Sequence, residues 1–223
     1  MCGPSRSTPS WSVPPRRSGH EPARSPGAPP ARVRIIGGDW KRTPLSVARV
    51  PGLRPTPDRV RETLFNWLGA RLDGWRCVDA FAGTGALAFE AASRGAAEVV
   101  AIERHPLAVA ALREAAERLA ADAEHIVPGD APRELARLAA GGAAFDAVFL
   151  DPPFGQGWIE RAAPAAAALL APGGFLYLEA ECVPDAALLE ALARQGIAPW
   201  RADRAGQVHY HLLRRVASHQ EVA

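Results

Sequence analysis

The 223-residue chain has little cysteine: Cys2, Cys77 and Cys182 are too few and too far apart for a disulfide framework or a zinc cluster, and they fit a reducing compartment. Cys77 lies in an apolar run and reads as a small core residue. Long hydrophobic runs are also missing. The longest apolar stretch, Ala162 to Leu178, is rich in alanine and broken by Pro164, Pro172, Gly173 and Gly174, which excludes a bilayer span. The start of the chain has no apolar run of the kind a signal peptide needs. A soluble, cytoplasmic protein is expected. Acidic residues are scarce at the front. Residues 1–75 carry 13 Arg/Lys against 5 Asp/Glu, whereas residues 76–223 carry 13 against 19. A basic front on an acidic body suggests an arm that meets phosphates, the plainer alternative being a solvated tail with chance arginines.

Nearly half the residues are hydrophobic, enough for one substantial domain with appendages. Residues 1–31 hold eight prolines among serines and arginines and lack apolar periodicity, so a disordered tail is expected there. That tail is either an addition or the product of a start codon placed too early; its prolines argue against the amphipathic helix of a transit peptide. Residues 32–71 read as a basic extension. Val33-Arg34-Ile35-Ile36 forms a short strand ending at Gly37-Gly38, with Leu45-Ser46-Val47 as its partner. Thr56-Pro57-Asp58 announces a helix, with Thr56 as N-cap, Pro57 at the first position and Asp58 facing the positive dipole end. Val60, Leu64, Trp67 and Leu68 make its apolar stripe, on which Trp67 is a core residue.

From residue 72 to 216 strands and helices alternate. Strands are expected at Cys77–Ala80, Val99–Ile102, His125–Val127, Ala147–Leu150 and Phe175–Glu179, the last entered through a Pro172-Gly173-Gly174 turn. Helices fall between and after them. Such alternation specifies a parallel sheet with helices on both faces. Ile197–Arg201 and Val208–Leu213, joined through Ala205-Gly206, read instead as an antiparallel hairpin. The fold class is therefore α/β, a doubly wound sheet of seven strands with an antiparallel last strand, preceded by a small hairpin and helix. Residues 217–223 form a C-terminal tail.

The first strand of the sheet runs into Asp79-Ala80-Phe81-Ala82-Gly83-Thr84-Gly85 and then a helix. A glycine-rich turn there lets the backbone approach a ligand and aims free N–H groups at it. Eighteen residues past Gly85, Glu103 ends the second strand, where an acid accepts the hydroxyls of a ribose. Gly83-x-Gly85-x-x-Ala88 also satisfies a dinucleotide fingerprint, which keeps a nicotinamide-dependent dehydrogenase in view. Asp79 argues against it, because a carboxylate before the glycines repels a pyrophosphate but holds the ammonium of a methionine moiety. A tight strand–helix turn without any ligand is the third reading. Asp130, after the third strand, either accepts an adenine amino group or caps the next helix.

The fourth strand ends in Asp151-Pro152-Pro153-Phe154. Two prolines remove backbone donors and fix φ, leaving a rigid corner of acceptors with Phe154 as a flat surface beside it. An exocyclic amino group on a base suits such a corner. Two acceptors hold its two hydrogens and turn the poorly nucleophilic nitrogen towards a methyl donor, while the aromatic ring stacks on the extruded base. The alternative is a proline-rich loop with a capping Asp and a core Phe.

These residues resemble the class I methyltransferase superfamily, with its Rossmann-like sheet, and in particular its amino-methylating branch. Arg34-Ile35-Ile36-Gly37-Gly38, Gly52-Leu53-Arg54-Pro55-Thr56, Asp58 to Leu68, Asp79 to Gly85, Glu90-Ala91 with Ser93-Arg94-Gly95-Ala96, the tetrapeptide, and Ala205-Gly206-Gln207-Val208 are similar to the bacterial 16S rRNA guanine-N2 methyltransferases of the RsmD family. The resemblance spans about residues 32–215. It implies transfer of a methyl group from S-adenosyl-L-methionine to N2 of a guanine in 16S rRNA, on the small ribosomal subunit or an assembly intermediate. It further implies that Asp79, Phe81, Gly83, Gly85, Glu103 and Asp130 bind the cofactor and that Asp151, Pro152 and Phe154 hold the target base. Arg34, Lys41, Arg42, Arg54, Arg59 and Arg61 would contact RNA, although the arginines at the start of the helix also fit a solvated face. A monomer that uses neither metal nor membrane is expected. His209 and His211 share one face of the last strand, but no third ligand stands at a spacing that completes a metal site. Other amino groups, adenine in DNA or a protein glutamine, remain as substrates in the same chemistry, and a non-catalytic RNA-binding assembly factor remains as an alternative of another class.

Overall fold

A computed structural model of the chain describes residues 33–48, 50 and 56–216. The expected N-terminal and C-terminal tails and the Gly52-Leu53-Arg54-Pro55 stretch lie outside the described residues. The first elements are β1 (Val33–Arg34) and β2 (Pro44–Leu45), paired antiparallel with Val33 opposite Leu45. Strand β2 takes in Pro44 and ends at Leu45, and β1 stops two residues earlier than its sequence predicts, for a physical reason. The N–H groups of Ile36 and Gly37 donate to the buried Glu90 carboxylate at 2.6 and 2.8 Å, so the chain leaves the hairpin ladder to dock on a helix of the main body. Gly38 permits the approach: its φ is +73°, and a Cβ there would lie 1.8 Å from the Ser93 carbonyl oxygen.

Helix α1 (Asp58–Leu68) follows, burying Val60, Leu64, Phe65 and Leu68. Trp67 packs against Tyr210 with ring centroids 5.5 Å apart. Thr56 is not its cap. The N-cap position belongs to Pro57, and no side chain caps the helix.

Then come β3 (Arg76–Asp79), α2 (Ala86–Ser93), β4 (Glu98–Glu103), α3 (Pro106–Leu119), β5 (Glu124–Pro128), α4 (Ala131–Ala140), β6 (Phe145–Leu150), α5 (Trp158–Ala168), β7 (Leu170–Ala180), α6 (Ala186–Ala193), β8 (Ile197–Ala205) and β9 (Val208–Arg215). Seven strands form one sheet in the order β5-β4-β3-β6-β7-β9-β8. All neighbours are parallel except β9, which runs antiparallel between β7 and β8. Strand β7 begins earlier than its sequence predicts. Leu170 already pairs with Phe145, and Pro172-Gly173-Gly174 is absorbed as an irregularity before Phe175 pairs with Ala147.

Strand periodicity divides the core into two layers. Cys77, Phe149, Tyr177 and Leu212 face α1, α2 and α3. Val78, Val148, Leu178 and Leu213 face α4, α5 and α6. The chain winds outward in both directions from the boundary between β3 and β6, so the loops after these two strands part and leave a crevice between them, the usual ligand position in such sheets. No helix among the described residues is long and apolar enough to cross a membrane.

Candidate active site

A cleft of about 1030 Å³ opens over the carboxyl ends of β3, β4, β6 and β7. Each of these strands delivers one carboxylate to it: Asp79, Glu103, Asp151 and Glu179. The parallel register explains the arrangement. Leu150 pairs with Leu178, so the next residues, Asp151 and Glu179, are neighbours across strands roughly 4.8 Å apart.

Asp79 is 2% exposed. Its Oδ2 accepts from the Ala88 N–H at 3.1 Å, whereas Oδ1 is buried without a hydrogen-bond partner. Burial, then the nearby Asp151 charge, pushes its pKa up to about 7. A buried acceptor with one free oxygen at the edge of a cleft is complementary to a cationic donor.

Glu103 is fixed by two backbone donors: Gly83 N–H reaches Oε2 at 2.9 Å and His105 N–H reaches Oε1 at 2.7 Å. Each oxygen keeps a second acceptor site, an arrangement that fits a vicinal diol. The glycine loop differs here from its sequence reading. The Gly83 N–H is bonded to Glu103 and the Gly85 N–H to the Ala82 carbonyl, so neither is free for a ligand. Gly85 does not line the cleft. It heads α2 at φ +75°, and a Cβ there would lie 2.5 Å from the Phe89 ring, so turn and packing require this glycine. Gly83 and Phe81 do line the cleft, and Phe81 meets Trp158 edge-on at 5.8 Å.

Asp130 stands exposed at the head of α4 on the cleft wall. It takes the N-cap position of α4, as one of the two sequence readings has it, but its side chain makes no capping bond, which leaves the carboxylate available.

At the end of β6, Asp151 and Phe154 are half-buried and Pro152 is buried, and all three line the cleft. Thr56 Oγ1 donates to Asp151 Oδ2 at 2.5 Å. Burial pushes the Asp151 pKa up to about 6, against the lowering effect of the Thr56 hydroxyl. Beside it, Glu179 is 3% exposed and accepts from the Tyr177 hydroxyl at 2.9 Å. Burial, and next the Asp151 charge, raises its pKa to about 9, so it is a neutral acid at pH 7.

Sequence reasoning missed Thr56 and Glu179. Thr56 was legible only as a cap, because nothing local points to a partner 95 positions away. Glu179 had a signal: an acid closing an apolar strand next to the one that ends in Asp151.

The arginines of the arm divide. Arg34, Lys41, Arg42 and Arg59 are exposed, Arg34 in an ion pair with Asp58 at 3.1 Å. Arg54 lies outside the described residues. Arg61 corrects its sequence reading. It is fully buried, and its guanidinium donates to the Thr56 and Arg34 carbonyl oxygens and to Asp58, with Glu90 at 3.9 Å. An RNA phosphate cannot reach it; it ties α1 to the hairpin. His209 and His211 stack at 6.5 Å, and no group of three or more His, Cys, Asp or Glu among the described residues could hold a metal ion.

Comparison with known proteins fits this geometry. The family model described as "Conserved hypothetical protein 95" matches residues 33–214. The Ribosomal RNA small subunit methyltransferase D of Escherichia coli (strain K12) is 40% identical over 189 residues, 83% of this chain and 91% of that protein. The protein of the same name from Haemophilus influenzae is 38% identical over 152 residues, 67% of this chain and 79% of its own length. Among solved structures, a putative methyltransferase from Escherichia coli superposes with a TM-score of 0.71 at 38% identity, covering 84% of this chain and 100% of that one. With a family match across nearly the whole described region and a relative this similar over almost its full length, the chain belongs to the RsmD family of methyltransferases, that of the small-subunit ribosomal RNA methyltransferase D proteins.

Proposed function

We propose that this protein methylates the exocyclic N2 amino group of a guanine in 16S rRNA of the small ribosomal subunit, using S-adenosyl-L-methionine. The observation that carries the reading is the meeting, in one cleft, of the unpartnered Asp79 oxygen with the Asp151 carboxylate and the Phe154 ring.

The donor set fits the cofactor. Asp79 would accept its ammonium, Glu103 its ribose hydroxyls and Asp130 its adenine amino group, with Phe81 as an apolar wall. Bound there, S-adenosylmethionine supplies a methyl group already activated on a sulfonium. The rest of the task is positioning. Asp151, with a carbonyl of the donor-free proline pair, accepts the two hydrogens of the base amino group and aims its lone pair. Phe154 stacks on the base, a contact worth ~1–3 kcal/mol. Asp151 would also accept the proton that the nitrogen releases. Exposed Arg34, Lys41, Arg42 and Arg59 supply the phosphate contacts of the arm.

The test is incubation of the pure protein with labelled S-adenosylmethionine and small subunits lacking the modification, followed by mass analysis of the nucleosides. Labelled N2-methylguanosine at one 16S position is expected. Label in another base, or in protein, would assign the amino-transfer chemistry to a different substrate.

A further inference from the structure

We infer that Thr56 is a positioning residue for methyl transfer: its hydroxyl, carried in from the N-terminal arm, orients the Asp151 carboxylate and keeps it an acceptor. The inference rests on the reading of Asp151 as the acceptor of the target amino group.

Thr56 is 6% exposed and donates to Asp151 Oδ2. A threonine before a helix ordinarily turns its oxygen to the first free N–H groups. Here α1 has no side-chain cap, and the hydroxyl points at another element altogether. The residue is held there by Arg61, whose Nε donates to the Thr56 carbonyl oxygen at 3.3 Å while its other nitrogens grip the Arg34 carbonyl at 2.9 Å and Asp58 at 2.7 Å. Arg61 is thus the buried peg that fixes Thr56, and Thr56 fixes Asp151. With Oδ2 engaged, Oδ1 is the oxygen left for the base, and the carboxylate has one rotational setting.

The hydroxyl also opposes an acidic neighbourhood. Asp79 faces Asp151 from β3, and Glu179 and the Tyr177 hydroxyl face it from β7. Arg104 and His105 line the cleft beyond β4, and Arg204 and His209 line it from the β8–β9 hairpin. Thr56 is the donor that lowers the Asp151 pKa against burial. Without it, Asp151 binds a proton at higher pH and presents a donor where the amino group needs an acceptor.

Single-turnover transfer to undermethylated small subunits, measured from about pH 5.5 to 9 with cofactor kept saturating at each pH, tests this for the wild type and for Thr56→Val, Thr56→Ala and Thr56→Ser. Affinity for the cofactor is measured on the same preparations. In the Val and Ala variants the acid limb of the rate should move up by about one pH unit, a roughly threefold loss at pH 6.5 that grows to about eightfold at pH 5.5 and largely vanishes at pH 8.5. Thr56→Ser should keep the wild-type limb, and cofactor affinity should change by less than about twofold. The position of the limb, unlike the height of the rate, does not depend on how much protein is folded. An unshifted limb in both hydroxyl-free variants, or a Ser variant shifted as far as they are, overturns the inference. Asp151→Ala, which removes the acceptor, is run beside them and should be nearly inactive, down ~10²–10³-fold, at every pH. If it keeps the wild-type rate, the reading of Asp151 fails; if it is inactive while the Val and Ala limbs stay in place, only the role of Thr56 fails.

Discussion

Cofactor binding should depend on pH through Asp79. In the free cleft its pKa is about 7, raised first by burial and then by Asp151. Only the ionised form attracts an ammonium, so affinity for S-adenosylhomocysteine should fall about tenfold per pH unit below 7, reaching roughly 100-fold at pH 5. Above about pH 8 the ligand's own α-amino group loses its charge, so the affinity peaks between the two values. Binding places a cation against Oδ1, which now has no partner, and lowers the Asp79 pKa. Protons are therefore released on binding at pH 7. Isothermal titration in buffers of different ionisation enthalpy reads both the affinity and the protons. Asp79→Asn keeps the shape and removes the charge. It should weaken binding by ~10–100-fold at pH 7.5, the scale of a charge-assisted hydrogen bond of about 1.5–3 kcal/mol, and flatten the pH dependence. Methylthioadenosine, which lacks the amino-acid moiety, should bind with no such dependence in either protein. A wild-type affinity for S-adenosylhomocysteine that is flat from pH 5 to 8, or an Asn variant that binds normally, would refute the assignment of Asp79.

Other predictions concern the scaffold and the arm. Glu124 is 9% exposed, neither carboxylate oxygen has a hydrogen-bond partner, and burial raises its pKa from 4.5 to about 9. Its folded-state pKa lies above its unfolded one, so the wild type loses stability as pH rises from about 5 to 9, and Glu124→Gln should escape this loss. In urea melts the advantage of the variant should grow with a slope approaching ~1.4 kcal/mol per pH unit, and parallel pH profiles would contradict it. Arg61→Met strips the buried link among Asp58, Glu90 and the hairpin carbonyl, and should cost about 3 kcal/mol in the same assay. A loss below about 1 kcal/mol would show the link to be dispensable. Replacing Lys41, Arg42 and Arg59 together by Gln should weaken binding to small subunits and make its salt dependence shallower while leaving cofactor affinity unchanged. An unaltered salt slope would remove these residues from the interface.

Much of this arrangement was legible because its signals are local. The β/α alternation, the hairpin at Ala205-Gly206 and the Asp151 tetrapeptide each follow from a short window of residue types. Strand order and register then bring Asp79, Glu103 and Asp151 together, since alternating parallel strands leave their carboxyl ends on one edge. What the sequence concealed depends on distant partners. Arg61 looks like an exposed basic residue until Asp58, Glu90 and two carbonyls surround it. Thr56 satisfies every local rule for a cap and yet bonds a carboxylate just past the end of β6. Strand β1 stops early because Glu90 takes the N–H groups of Ile36 and Gly37, a competition that composition cannot reveal. The glycine loop misled in a smaller way, because Gly85 serves Phe89 and the turn instead of a ligand.

The central claim is that the Asp151 carboxylate holds the amino group that receives the methyl. Asp151→Ala, compared with wild type in single-turnover transfer to undermethylated small subunits at saturating cofactor, tests it most directly. The predicted result is a fall of ~10²–10³-fold or more in rate, the scale set by losing one preorganised polar contact to the reacting group, with cofactor affinity nearly unchanged. Transfer at the wild-type rate would contradict the account.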